Sequence, residues 1–355
     1  MSPKRVTLLV LAALAAICGA FFLSSQRNLR SDTRGAPLFP TLAPELDTVT
    51  EVSILKGSAT PAVTLHKSGG HWSVAERADY PADAAKLRRL LRALADAKLE
   101  EEKTSDPANY PIIGVEDPTQ PGASGAQVSL LAQDGKHAVI VGKPVGEGTF
   151  ARRAGESKSY TVEPAISVEA EPRSWIDTPL IDIPSSSIQS VEFKPAAGAG
   201  YILHRIKPKE DGFALDKPPT GRMALDAKAL APSVSTLSGL SVEDVAPAKD
   251  IDFSRPAQSI FTLEDGAIVT LDGVASGDKR WIEVRSSKDA ALAQKAKDRA
   301  FQIANYRYDA IFRPLDQMLV PKDTKTRADA GVARGGAAHS IKSAPLPPAP
   351  SPPAP

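Results

Sequence analysis

Cysteine is nearly missing from this chain. Cys18 is the single example. The rest of the protein therefore has no disulfide, no thiolate metal site and no cysteine nucleophile, and its core must be stable without covalent staples. Aromatic residues are sparse at 5%, which argues against a stacking platform for bases or sugars. An excess of either charge is lacking too. Lys and Arg number 43 against 42 Asp and Glu, for a net charge of +1, so there is no basic stripe for nucleic acid and no acidic store for cations. After residue 23 no stretch is long and apolar enough to cross a bilayer as a helix.

What is present begins with that one apolar run, Val6 to Leu23, preceded by Lys4 and Arg5. At about 1.5 Å per residue it spans most of a roughly 30 Å hydrocarbon layer as a helix. The charges ahead of it predict residues 1–5 in the cytoplasm, a transmembrane anchor over 6–23, and the bulk of the chain in the periplasm, single-pass at the inner membrane. Arg27 and Arg30, just past the run, oppose that orientation. A cleaved signal peptide is the competing reading, but its apolar core is shorter, and Phe21, Phe22 and Leu23 lengthen this one. Lipidation of Cys18 is a third reading, disfavoured because Ile17 stands where a small residue is normally found; a small apolar residue within a membrane helix is the plainer account.

The exported portion, about 330 residues, exceeds one ordinary core and predicts two domains. Residues 24–44 read as a linker. Residues 324–355 close in the proline-dense Ser343–Pro355 (SAPLPPAPSPPAP) and read as a disordered Pro/Ala-rich tail outside the fold.

Between these lies a pattern written twice. Over 45–184, Val49–Leu55, Val63–Lys67 and His71–Val74 alternate apolar and polar residues like a three-stranded meander. Asp79–Asp83 then caps a helix over Ala84–Leu99, with Leu87, Leu90, Leu91 and Leu94 on one face and Glu100–Glu102 as its solvated end. Hairpins follow over Ala126–Val141 and Thr149–Val162. Over 185–323 the order recurs: Ile188–Phe193, Tyr201–Arg205 at an offset of about 138 residues, Phe213–Leu215, a helix over Asp226–Leu240, a hairpin over Ser259–Leu271, then Trp281–Arg285 and Tyr308–Leu315. The expected fold class is α+β: two tandem similar units of antiparallel sheet with helices on one face, preceded by a single transmembrane helix.

These features resemble the anchored extracytoplasmic proteins catalogued as a domain of unknown function, family 4340. The resemblance rests on the N-terminal run, Val52–Leu55, Gly70-His71-Trp72-Ser73-Val74 and the leucine helix. It continues through Asn109-Tyr110, Gly114-Val115, Asp117-Pro118, Val141-Gly142-Lys143, Thr149–Arg152 and Tyr160-Thr161-Val162, and covers residues 6–320. It implies association with an ABC-type transporter of the gliding-motility auxiliary class or a related envelope assembly, and it supplies no catalytic residues.

A search for chemistry yields no catalytic, cofactor or metal residue to name. Gly142-Lys143-Pro144 lacks the glycines and hydroxyl of a phosphate loop. His66 and His204 hold matching places in the two copies but read as surface positions on middle strands. No nucleophile elbow surrounds Ser185–Ser187, and Asp250 and Asp252 read as one strand face without a third ligand. The residues with interaction potential are Arg152 and Arg153, beside Tyr160, and Trp175. Arginine on a strand next to aromatics suits a carboxylate or an acidic loop, and equally suits cross-strand packing.

The sequence thus predicts a non-enzymatic, membrane-anchored periplasmic accessory or scaffold. Its expected partners are integral membrane ABC-type transport components or other envelope proteins. A periplasmic ligand-binding protein with a cleft between the two units is the alternative, and a cell-envelope hydrolase the third.

Overall fold

The structure, a computed structural model, describes residues 34–206 and 212–321. The predicted anchor at 6–23 and the Pro/Ala-rich tail at 324–355 lie outside the described residues. Among the described residues no helix is long and apolar enough to cross a membrane.

Alternation of apolar and polar residues builds two large antiparallel sheets with a few helices. The first sheet contains β1 (Glu51–Leu55), β2 (Val63–Ser68), β3 (His71–Val74), β4 (Tyr80–Pro81), β5 (Lys98–Thr104), β6 (Ala126–Ala132), β7 (Gly135–Val145), β8 (Gly148–Arg153) and β9 (Ser159–Glu163), in the spatial order β4-β3-β2-β1-β6-β7-β8-β9-β5. After β10 (Pro179–Ile181) comes the second sheet. Its strands are β11 (Ile188–Lys194), β12 (Tyr201–Arg205), β13 (Phe213–Leu215), β15 (Asp244–Pro247), β16 (Ala257–Leu263), β17 (Ile268–Ser276), β18 (Lys279–Ser286) and β19 (Arg299–Ile303), ordered β13-β12-β11-β16-β17-β18-β19-β15. The short β14 (Leu240–Ser241) pairs with β10.

Setting β4 aside, the two orders are the same, strand for strand. Register agrees as well. Val52 pairs with Leu65 and with Leu130, and in the second sheet Val191 pairs with Leu203 and with Phe261. Because side chains alternate with period 2, matched register sends matched residues inward. All six of these side chains are buried.

The helix after β4 runs Ala84–Asp96. Asp83 caps it, its carboxylate accepting from the amides of Ala85 and Lys86 at 2.9 Å each. Leu87, Leu90, Leu91 and Leu94 are buried in the core, each contributing about 1.5–3 kcal/mol when fully removed from water. In the second half the corresponding helix is shorter, Ala227–Val234, with Asp226 as its cap and Pro232 inside it.

The helix does not continue to Leu99, and Glu100–Glu102 is not a helix end. Ala97 turns to extended backbone, and β5 pairs with β9 as the outer strand of the sheet. Charged side chains suit a strand exposed along one edge, and they hide its strand character from a search for apolar alternation. Asp250 closes a short 3-10 turn and Asp252 lies in a loop, accepting from the Ser254 amide at 2.9 Å; they do not share a strand face.

Candidate interaction surfaces

Strand β8 places Arg152 and Arg153 next to each other, so they point to opposite faces of the sheet. Arg152 reaches the outer face. Its Nε donates to Val115 O at 2.9 Å, an Nη donates to Glu156 O at 2.9 Å, and its guanidinium stacks 4.5 Å from the Tyr110 ring centroid. These contacts fasten the segment Pro107–Val115 over the sheet as a cap. Tyr110, Val115 and Ile140 form a small apolar cluster beneath it, with Ile113 and Phe150 against its edge. The Tyr110 hydroxyl donates to Ser157 O at 2.5 Å, and Lys143 Nζ to Ile112 O at 2.9 Å. Gly142 makes this approach possible, because a Cβ there would lie 2.4 Å from Ile113 O.

Arg153 holds the incoming chain on the other face. It donates from Nε to Leu38 O at 2.7 Å and from Nη2 to Pro37 O at 3.3 Å. The same segment pairs with the edge of β5 through the Gly35 amide to Leu99 O, the Leu99 amide to Ala36 O and the Leu38 amide to Ala97 O, at 2.7–2.8 Å. Leu38, Phe39 and Leu42 are buried behind it.

Tyr160 is 5% exposed and Trp175 1% exposed, both within the main core. Trp175 Nε1 donates to Glu169 O at 2.8 Å, and Lys86 Nζ sits 4.9 Å from its ring centroid. The four candidates do not converge. Arg152 and Arg153 bind this chain's own carbonyls, and the two aromatics are interior.

A denser polar cluster, absent from the sequence-based candidates, joins the two sheets. Tyr80 at the edge of the first sheet is fully buried, its ring 5.7 Å from that of Phe301 in β19. Lys295 Nζ and the Arg299 guanidinium lie 5.3 and 5.8 Å from its centroid. Arg299 donates to Ala78 O at 2.9 Å and to Asp79 O at 3.1 Å. Those two residues are consecutive non-glycines in the left-handed region, φ 55° and 52°, a conformation that L side chains avoid without support. Lys295 bridges to Asp177 at 2.9 Å, and Arg77 pairs with Asp244 of β15. Burial, and then the charge of Asp177, pushes the Tyr80 hydroxyl well above the usual tyrosine range, against a smaller opposing pull from Arg299. Locally, Asp79-Tyr80-Pro81 reads only as helix-capping sequence; its partners lie more than two hundred residues further on.

The seam is packed. One apolar core runs through both halves, and the described cavities are each lined from one half only. A shallow cavity of about 490 Å³ is bordered by Asp252, Ser254, Arg255, Val274 and Tyr308 in the second half. A groove of about 310 Å³ in the first is lined by Lys103, Thr104, Asn109, Ile112, Ile113 and Phe150. Among the described residues no group of three or more His, Cys, Asp or Glu side chains is placed to hold a metal. His66 lies 3.0 Å from Ser73 Oγ and 3.3 Å from Asp79 Oδ1, while His204 is exposed. Across β17 and β18, Asp272 bridges to Arg285 and accepts from Gln258 at 2.8 Å. Burial, then the charge of Asp272, raises the neighbouring Glu283 carboxyl.

A family model described as Domain of unknown function (DUF4340) matches residues 72–259, from β3 into β16 and so across both sheets. No curated protein and no solved structure matches the chain.

Proposed function

Because the chain belongs to the family described as Domain of unknown function (DUF4340), whose matched span crosses the seam, we propose that the working unit is the joined pair of sheets rather than either half. In this reading the protein is a non-enzymatic accessory or scaffold, anchored in the inner membrane by Val6–Leu23. Its two similar units face the periplasm, where they bind integral membrane components of an ABC-type transporter or a related envelope complex. The observation that carries it is the seam. Arg299, Lys295 and Arg77 hold one sheet against the other through backbone carbonyls and carboxylates, which suits a body that presents fixed surfaces to partners. A cleft that opens and closes around a small ligand has less support, since the space between the halves is filled by Tyr80, Phe301 and the common core.

The test is purification of the tagged full-length protein from membranes in mild detergent after crosslinking in intact cells. The expected result is stoichiometric recovery of integral membrane transport components. Recovery of the protein alone, together with a ligand-dependent rise in melting temperature against a metabolite panel, would instead favour the binding-protein alternative.

A further inference from the structure

We propose that the exposed face of the helix Ala84–Asp96 docks on anionic phospholipid headgroups of the bilayer that holds the anchor. The inference deepens the scaffold reading and rests on its anchored N-terminus, adding the surface that the first half turns to the membrane.

The helix carries four cations, Lys86, Arg88, Arg89 and Arg92, and one carboxylate, Asp96, in a chain whose total charge is only +1. Lys86 is already paired, with Glu169 at 2.9 Å and with Ser174 O at 2.7 Å. Arg88, Arg89 and Arg92 are exposed, and none of them makes a hydrogen bond or an ion pair among the described residues. Helical spacing gathers the three on one stripe, opposite the buried leucines.

The second half shows that the fold does not need these arginines. With the two caps superposed, Asp83 on Asp226, the buried Leu87, Leu90 and Leu91 fall on the buried Leu230, Ser233 and Val234. Arg88, Arg89 and Arg92 then fall on Ala231, Pro232 and Ser235. The basic face is thus confined to one copy of a duplicated unit, the copy that the chain enters from its N-terminus. The entry point lies at the end of the helix itself: the Leu38 amide donates at 2.7 Å to the carbonyl of Ala97, the residue after Asp96. Residues 24–33 alone separate the apolar run from Arg34, a reach of no more than about 40 Å. The helix is roughly 20 Å long, so an anchored chain keeps all three arginines within range of the bilayer surface. Guanidinium groups match phosphate oxygens in geometry and charge, and a layer of anionic headgroups attracts each basic side chain without needing a shaped pocket. The leucines are committed to the core, so the contact is with headgroups rather than by insertion, and salt should weaken it.

The experiment uses the full-length chain with Cys18→Ala, reconstituted into vesicles of phosphatidylcholine alone or of phosphatidylcholine and phosphatidylglycerol in equal parts. A fluorophore on Ala85→Cys reports from the basic stripe, and one on Lys228→Cys from the matching place in the second half. A nitroxide on the lipid headgroups quenches whichever label meets the surface. The expected result is quenching at Ala85→Cys in the anionic vesicles, lost in the neutral ones and in high salt, with no response to lipid charge at Lys228→Cys. Arg88→Gln, Arg89→Gln and Arg92→Gln together should lower the ratio of docked to undocked helix about a hundredfold. The salt series needs no variant, so it stands even if that triple substitution disturbs folding. Equal quenching in the two lipids, or quenching that survives high salt, would overturn the proposal. So would protein that floats with the anionic vesicles while its Ala85→Cys label stays bright, the pattern expected if the arginines serve an acidic protein. Failure to float with either kind of vesicle would overturn the anchored reading, and this surface with it.

Discussion

The Tyr80 hydroxyl is buried without a hydrogen-bond partner among the described residues, while two cations of the second half, Lys295 on a short helix and Arg299 in β19, lie over its ring. Such a group forfeits its water and gains no hydrogen bond in return, a loss of about 1–3 kcal/mol. Tyr80→Phe is therefore expected to stabilise the fold by about 1 kcal/mol in urea denaturation near neutral pH. The sign of the alkaline limb follows from the raised hydroxyl. In the unfolded chain tyrosine ionises near pH 10, whereas folded Tyr80 holds its proton beyond that. The native state thus binds more protons above pH 10, and stability falls as pH rises through that range. Tyr201, also raised by burial, contributes to the same fall, so Tyr80→Phe should flatten the limb without abolishing it. None of this was legible locally. Asp83 reads correctly as a helix cap, but Tyr80 owes its setting to Phe301, Lys295 and Arg299, and pairing over that distance leaves no periodic trace.

Strands with apolar alternation were readable: β1 to β3, the hairpins β6–β7 and β8–β9, and the leucine-faced helix between Asp83 and Asp96. The strands β5, β15 and β19 escaped, for differing physical reasons. Glu and Lys fill β5 because its edge faces solvent, while β15 buries only Val245 and ends in a proline, and β19 buries Ala300 and Phe301 in succession, so neither shows a clean alternation. Arg152 and Arg153, candidates for a carboxylate or an acidic loop, stand in β8 as read, and their hydrogen bonds run to this chain's own cap, to Glu156 and to its incoming segment. The cap depends on Gly142. Val141 pairs with Ala151 as Gly273 pairs with Ile282, so Val274 holds the matching place in the second sheet, where the connection from β15 to β16 is too short to form a cap. Gly142→Ala would set a methyl against backbone oxygens of Ile113 and Gly114. A cost of about 1–3 kcal/mol is expected, with faster hydrogen exchange across Tyr110–Val115 as the sign that the cap has lifted. A stability loss without that local signature would place the strain elsewhere.

At the level of the molecule, the shared core predicts that both sheets unfold together. Calorimetry should give a single transition whose calorimetric and van't Hoff enthalpies agree; two resolved transitions would show that the seam is weaker than its contacts suggest. Arg299→Ala is the matching perturbation. It removes the donors that hold Ala78 and Asp79 in left-handed backbone, and should cost about 1–3 kcal/mol while narrowing the coupling between the halves. The incoming segment carries a last, mechanical consequence. Because Gly35–Leu38 lies alongside β5 instead of meeting it end-on, a pull directed along that segment would load its three amide–carbonyl bonds in shear, all at once. Bonds loaded together in that way resist a pull better than bonds that peel one by one, and they would pass the force into the sheet as a whole.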